Sequence, residues 1–232
     1  GLRAGSLLVE RGAARVVLAS RSTRVARDGQ SLERALLRLD ASAQIVACDS
    51  AEPRDVCALN SCCDKLRGIL HAAGALLDTR LRLMSVADTV QGWAPKACAA
   101  SHVCNASARS RGDAAILFSS ITSAFGTAGQ GNYAAANSYL DTLALRRRTA
   151  GRVGSSLQIP PVTDAGMGAS ALTTKQLTDV GALTLDEFVS CVLPLFSAAC
   201  PASACVRVPL NVLMFEYLPP MPALGEVQLR SD

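Results

Sequence analysis

Short apolar, β-branched runs alternate with longer amphipathic stretches along most of this chain, and that alternation constrains its fold more than any other feature. Arg15-Val16-Val17-Leu18-Ala19, Gln44-Ile45-Val46-Ala47, Gly68-Ile69-Leu70-His71-Ala72 and Ala114-Ala115-Ile116-Leu117-Phe118 read as buried strands. Continuous apolar runs of this length suit strands covered on both faces. Ser156-Leu157-Gln158-Ile159 and Ala204-Cys205-Val206-Arg207-Val208 are weaker versions of the same signal. Between them lie helical segments. Ser31 to Leu39 carries Leu32, Ala35, Leu36 and Leu39 at helical spacing, and others run roughly over Pro53 to Lys65, Val86 to Ser107 and Gly131 to Arg148. Strand and helix in alternation imply right-handed crossovers and an α/β fold with a doubly wound parallel sheet. Ligands of such sheets bind beyond the carboxyl ends of the strands, at the topological switch point. Residues 160–183, rich in Pro, Gly, Thr and Ala, read as a mobile loop with a short helix, and the tail from Pro219 as a linker.

A length of 232 residues suits one such domain, and a chain that is 50% hydrophobic and 18% charged is globular. The net charge of +4 is mild. Arg146-Arg147-Arg148 reads as the solvated end of a helix, because no aromatic residue interleaves it as nucleic-acid binding would require. Nine cysteines, no CxxC pair and only His71 and His102 as imidazoles argue against a zinc site. Free thiols in a reducing intracellular compartment, cytoplasm or plastid, fit better than a disulfide framework. Adjacent Cys62 and Cys63 read either as a redox pair or as two small helix-surface or half-buried residues. No apolar run approaches the roughly 20 residues of a membrane span. The chain starts at Gly1 without an initiator Met or signal-like segment, so it is expected to be excised from something longer.

The chemistry concentrates in Leu117-Phe118-Ser119-Ser120 and Gly129-Gln130-Gly131-Asn132-Tyr133-Ala134-Ala135-Ala136-Asn137. A strand ends at Ser120, a glycine-rich turn follows, and a helix starts near Gly131. Tyr133 and Asn137, four residues apart, share one helix face that can point at the strand end. Reducing a carbonyl needs a hydride from a nicotinamide, a donor that polarises the carbonyl oxygen, and an acid for the developing alkoxide. A tyrosine hydroxyl can be that acid if a cation stabilises its phenolate, and a serine can be the second donor.

The stretch from Leu117 to Leu145, with His71-Ala72-Ala73-Gly74 in the preceding strand and Ala94-Pro95-Lys96 in place of an Arg-Pro-Lys segment, closely resembles the ketoreductase domains of polyketide synthases, which are Rossmann-like short-chain dehydrogenases. The resemblance covers about residues 1–215, leaving 216–232 as a linker. It implies a catalytic tetrad of Lys96, Ser120, Tyr133 and Asn137. Tyr133 is then the proton donor, Ser120 orients the carbonyl, and Lys96 and Asn137 organise the proton relay. In ordinary short-chain dehydrogenases the lysine and asparagine positions are exchanged. The implied reaction is NADPH-dependent reduction of a β-ketoacyl thioester held by an acyl carrier protein, within a multidomain synthase. Alternatives are a standalone short-chain dehydrogenase or an inactive structural remnant.

By the same resemblance Gly1 matches the last glycine of the phosphate-binding fingerprint, so the first strand is expected to be missing. Ser20 and Arg21 fall where the family meets the adenosine 2′-phosphate. A guanidinium there suits NADPH, where an acidic residue would favour NAD. Asp49 is expected at the adenine, and Ala72, Ala73 and Gly74 beside the nicotinamide ribose. Leu76-Leu77-Asp78 retains only the final Asp of the Leu-Asp-Asp motif of D-hydroxyl enzymes, and Phe125 stands where L-type enzymes carry Trp, so the chain leans to the D-hydroxyl product. Gly166-Met167 matches the family's Gly-Met in the substrate loop, whereas Gln158-Ile159-Pro160-Pro161 departs from Asn-Trp-Gly-Pro.

Overall fold

The computed structural model describes residues 1–24, 32–37, 39, 43–63, 66–109, 114–196 and 205–207. Residues 216–232, expected as a linker, and the ends of some expected elements, including Ser31, Lys65, Ala204 and Val208, lie outside them. Six strands form where the apolar runs are: β1 (Val16–Ser20), β2 (Ala43–Ala47), β3 (Gly68–His71), β4 (Ala114–Ser120), β5 (Ser155–Ile159) and β6 (Cys205–Arg207). All pair in parallel, as an alternating strand–helix chain requires. β3-β4-β5-β6 form one sheet and β1-β2 another; among the described residues no pairing joins β1 to β3.

β4 is the centre. All seven of its residues are buried, and its side chains alternate between two helical layers. Ile116 and Phe118 pack on one face with Ala4 and Leu7 of α1 (Leu2–Glu10) and with Phe188, Val189 and Val192 of α10 (Leu185–Val192). Phe118 meets Phe188 edge to face at 5.5 Å. Leu117 points the other way, to Ala100 and Cys104 of α5 (Ala99–Ala106) and Leu140 and Ala144 of α7 (Gly131–Thr149). Burial on both faces is therefore met at β4, but not at β1 and β2. Among the described residues these two strands pair only with each other, and Ile45 is 44% exposed.

The remaining helices are α2 (Leu32–Leu37), α3 (Pro53–Ser61), α4 (Val86–Trp93), α6 (Thr122–Phe125), α8 (Met167–Ala171) and α9 (Thr174–Asp179). Three differences from the sequence reading matter. The helix expected over Val86 to Ser107 is interrupted by a π-helical turn, Ala94–Cys98. Pro95 lacks the N–H that would continue the α-helical ladder, and its ring crowds the preceding turn. Residues 160–183 hold two short helices, not one, stitched by a parallel bridge between Val162 and Leu183. Arg147 is not a solvated helix end: it donates to the carbonyls of Val153 (2.8 Å) and Cys104 (3.2 Å), tying α7 to its neighbours. No described helix is long and apolar enough to cross a membrane, and Cys48, Cys57, Cys62, Cys63, Cys98, Cys104 and Cys191 are free thiols.

Candidate active site

Register sets the frame. In the four-stranded sheet His71 aligns with Leu117, and Ser120 with Ile159, so His71, Ser120 and Ile159 end their strands at the same edge. After Ser120 the chain makes the short helix α6, then a turn in which Gly126 and Gly129 take φ of 72° and 80°, a region that strains other residues. That turn reverses the chain so that α7 runs back across the strand ends. Tyr133 and Asn137, one turn apart, both face inward, Tyr133 9% exposed and Asn137 fully buried.

The four expected residues come together. The side chains of Ser120 and Asn137 both act on the Tyr133 hydroxyl: burial pushes its pKa up, and these two partners pull it back. Asn137 Nδ2 also donates to the Tyr133 carbonyl (2.8 Å), while its Oδ1 is buried with no hydrogen-bond partner. Ser120 Oγ accepts the Thr122 amide (3.2 Å), which holds the hydroxyl at the strand end. Lys96 arrives from the π turn. The widened turn aims its side chain into the protein, where only 3% of the residue stays exposed. Its Nζ donates to the Phe118 carbonyl at 2.7 Å and lies 5.4 Å from the centre of the Tyr133 ring. Burial lowers its pKa to about 8, with the charge of Asp141 opposing.

His71 was legible only as part of a motif. In the structure it is buried, and Nε2 bonds to the Lys96 carbonyl at 3.0 Å, pinning the turn that delivers the lysine. Burial and the nearby Lys96 charge push its pKa down to about 4, so it is neutral at pH 7 and Nε2 acts as the donor. Gly74 has a role that sequence reading did not supply. A Cβ there would lie 2.9 Å from Lys96 Cε, so the bare glycine lets the lysine stem pass. Asp78 accepts from Gln130 (3.2 Å) and the Thr79 amide donates to the Gly129 carbonyl (2.8 Å), docking the loop after β3 on the turn before Tyr133. Phe125 closes α6, 5% exposed. Gly166, at φ 97°, turns the chain into α8, which starts at half-buried Met167.

The residues expected at a dinucleotide suit one. Gly1 caps α1 without a side chain, and a Cβ on it would come within 3.9 Å of Ala72, so a helix N-terminus lies beside the Ala72-Ala73-Gly74 segment. Ser20 ends β1 with its hydroxyl accepting the Thr23 amide (3.0 Å), and Arg21 follows it, exposed. Asp49, just beyond β2, accepts the Ala51 amide (3.0 Å). Asn137 Oδ1, beside Tyr133, is a buried acceptor with no hydrogen-bond partner among the described residues.

A family model described as KR domain matches residues 1–164. The chain belongs to that family. It is 36% identical over 177 residues to polyketide synthase GfsB and 41% identical over 160 residues to polyketide synthase GfsA, both from Streptomyces halstedii. These matches cover 75% and 68% of the chain but only 3% and 2% of those proteins. Among solved structures it resembles one titled A1-type ketoreductase (TM-score 0.84, 26% identity, 99% of this chain and 50% of that one). Another is titled A-type ketoreductases from modular polyketide synthase (TM-score 0.79, 29% identity, 90% and 45%). The KR family is built on the Rossmann-like short-chain dehydrogenase fold, as the parallel strands and flanking helices require.

Proposed function

We propose that this KR domain reduces the β-keto group of an acyl thioester carried on an acyl carrier protein, with NADPH as reductant, as one domain of a polyketide synthase. The observation that carries the reading is the convergence of Ser120, Tyr133, Asn137 and Lys96 at one strand edge. The polyketide synthases among its relatives support the setting.

When bound, the nicotinamide supplies hydride to the carbonyl carbon. Ser120 Oγ donates to the carbonyl oxygen and holds it in place. As negative charge builds there, the Tyr133 hydroxyl transfers its proton to it, completing the alcohol. Buried Lys96, 5.4 Å from the ring centre, stabilises the phenolate left behind. With its pKa near 8, Lys96 is charged at neutral pH yet able to pass on a proton. Asn137 Oδ1 offers a buried acceptor to a water that relays a proton back to Tyr133. Arg21, which follows β1, supports NADPH over NADH, and the retained Asp78 together with Phe125 in place of Trp supports a D-hydroxyl product.

Tyr133→Phe keeps the ring and removes the proton donor. Turnover of a β-ketoacyl thioester, followed by loss of NADPH absorbance, should fall about 100-fold or more. Near-normal turnover in the variant would refute the proposal.

A further inference from the structure

We propose that Asp141 is a positioning residue for this reaction: its carboxylate clamps the turn that carries Ser120 to the helix that carries Tyr133 and Asn137. The proposal rests on the ketoreductase reading above. Asp141 lies on α7 about 12 Å beyond Tyr133, too far along the helix to touch a substrate bound there. From sequence it is an ordinary acid on an amphipathic helix. In the structure it is half-buried, and donors from two other elements converge on it. Ser156 Oγ of β5 donates to Oδ1. Ser123 Oγ of α6 (2.7 Å) and Gln158 Nε2 of β5 (2.9 Å) donate to Oδ2. Ser156 is fully buried and Gln158 5% exposed, so water competes little for these bonds.

Ser123 links the cluster to the chemistry. It lies three residues after Ser120, and its Oγ is 2.8 Å from the Ser120 carbonyl oxygen as well. Gln158 Nε2 also reaches Ser123 Oγ, at 2.9 Å. One carboxylate therefore ties the first residues after β4 to both α7 and β5. The Ser120 hydroxyl and the Tyr133 hydroxyl come from different elements, and their mutual placement depends on how these elements dock. The same negative charge acts on Lys96. The titratable groups facing Lys96 are His71 from β3 and Tyr133 and Asp141 from α7. Asp141 is the acidic one, and it opposes the loss of the lysine proton that burial favours.

The test uses Asp141→Asn, which keeps the shape and removes the charge, in the full-length protein. Expected are a kcat lower by about 10-fold or more, from the loss of charge-assisted bonds, an unchanged KM for the thioester, and an alkaline limb of the kcat–pH profile moved to lower pH as Lys96 loses its anion. Hydrogen exchange, which needs no turnover, should show faster exchange of the amides of residues 120–125 than in the parent, with the rest of the sheet unchanged. Parental kcat and exchange in the variant would overturn the proposal. So would a kcat loss with faster exchange throughout and an unmoved alkaline limb, which is the signature of scaffold damage alone. Should Asp141→Asn fail to fold, Ser123→Ala cuts one arm of the clamp and keeps the charge. It should lower kcat and speed exchange at 120–125 with the alkaline limb in place, and parental values in it overturn the clamp. A parent protein that folds but reduces no β-ketoacyl thioester defeats the ketoreductase reading, while exchange still decides whether Asp141 clamps the turn.

Discussion

Gly74→Ala adds one methyl group and tests whether the lysine route through the core governs catalysis. The added Cβ would lie 2.9 Å from Lys96 Cε, 3.4 Å from Cγ and 3.6 Å from Cδ. The first distance is shorter than carbon atoms tolerate, so something must move. The backbone gives no reason for failure, since Gly74 is not among the glycines held at positive φ. The stem of Lys96 is the part that can yield. It can do so only by swinging Nζ away from the Phe118 carbonyl, which it meets at 2.7 Å, and from its station beside the Tyr133 ring. Losing a hydrogen bond to a buried charged group costs about 1.5–3 kcal/mol, or roughly a 10- to 150-fold fall in kcat if the lysine acts in the transition state. The protein should still fold, because a long side chain relaxes more easily than a backbone. The assay is steady-state reduction of a β-ketoacyl thioester with NADPH varied, together with a thermal melt. A lower kcat with nearly constant KM for NADPH is expected. If KM for NADPH rises while kcat holds, Gly74 serves cofactor approach and not the lysine. Parental kcat and KM together would refute the steric argument altogether.

Two further outcomes are expected. Arg21→Ala should raise KM for NADPH by about 10-fold or more, as expected for loss of a charge-assisted bond to phosphate, and leave KM for NADH nearly unchanged; equal use of both cofactors by the parent would defeat the NADPH assignment. His71 has its pKa lowered to about 4 from 6.5, so between those values the unfolded chain takes up a proton that the folded chain refuses. Stability from this group is therefore present above pH 6.5 and lost as pH falls towards 4, by roughly 3 kcal/mol in all. His71→Gln should flatten that slope in urea melts across the window, and an unchanged slope would show that the acid sensitivity arises elsewhere.

Much of the site was legible in the chain itself. Ser120 at the end of an apolar run, and Tyr133 and Asn137 one helical turn apart after a glycine-rich turn, are a pattern that backbone geometry turns into proximity without further help. The Lys96 position came from resemblance alone. Its sequence neighbourhood reads as a helix face, and a lysine there would ordinarily reach into water. Pro95 was the signal that the helix is not regular, but a proline says only that a ladder bond is lost, not which way the next side chain is sent. Asp141, Ser123 and Ser156 carried no local signal at all, and the motif around His71 gave no hint of its bond to Lys96, because each acquires its role from partners between 3 and 25 residues away.

The sequence by itself determined the strand and helix order, the parallel pairing and the burial of the Ala114–Phe118 run, since these follow from periodicity and from the short reach of hydrogen-bonded elements. It also determined the chemical types available at the strand ends. Only the tertiary structure decided that Ile45 is left 44% exposed where the apolar run implied full cover. Apolar content records what a strand could bury, whereas burial depends on which neighbours arrive. The structure alone also decided which polar groups are buried together. Burial and contact set their protonation, from a neutral His71 to a Lys96 with its pKa near 8, because desolvation and charge act through space and not along the chain.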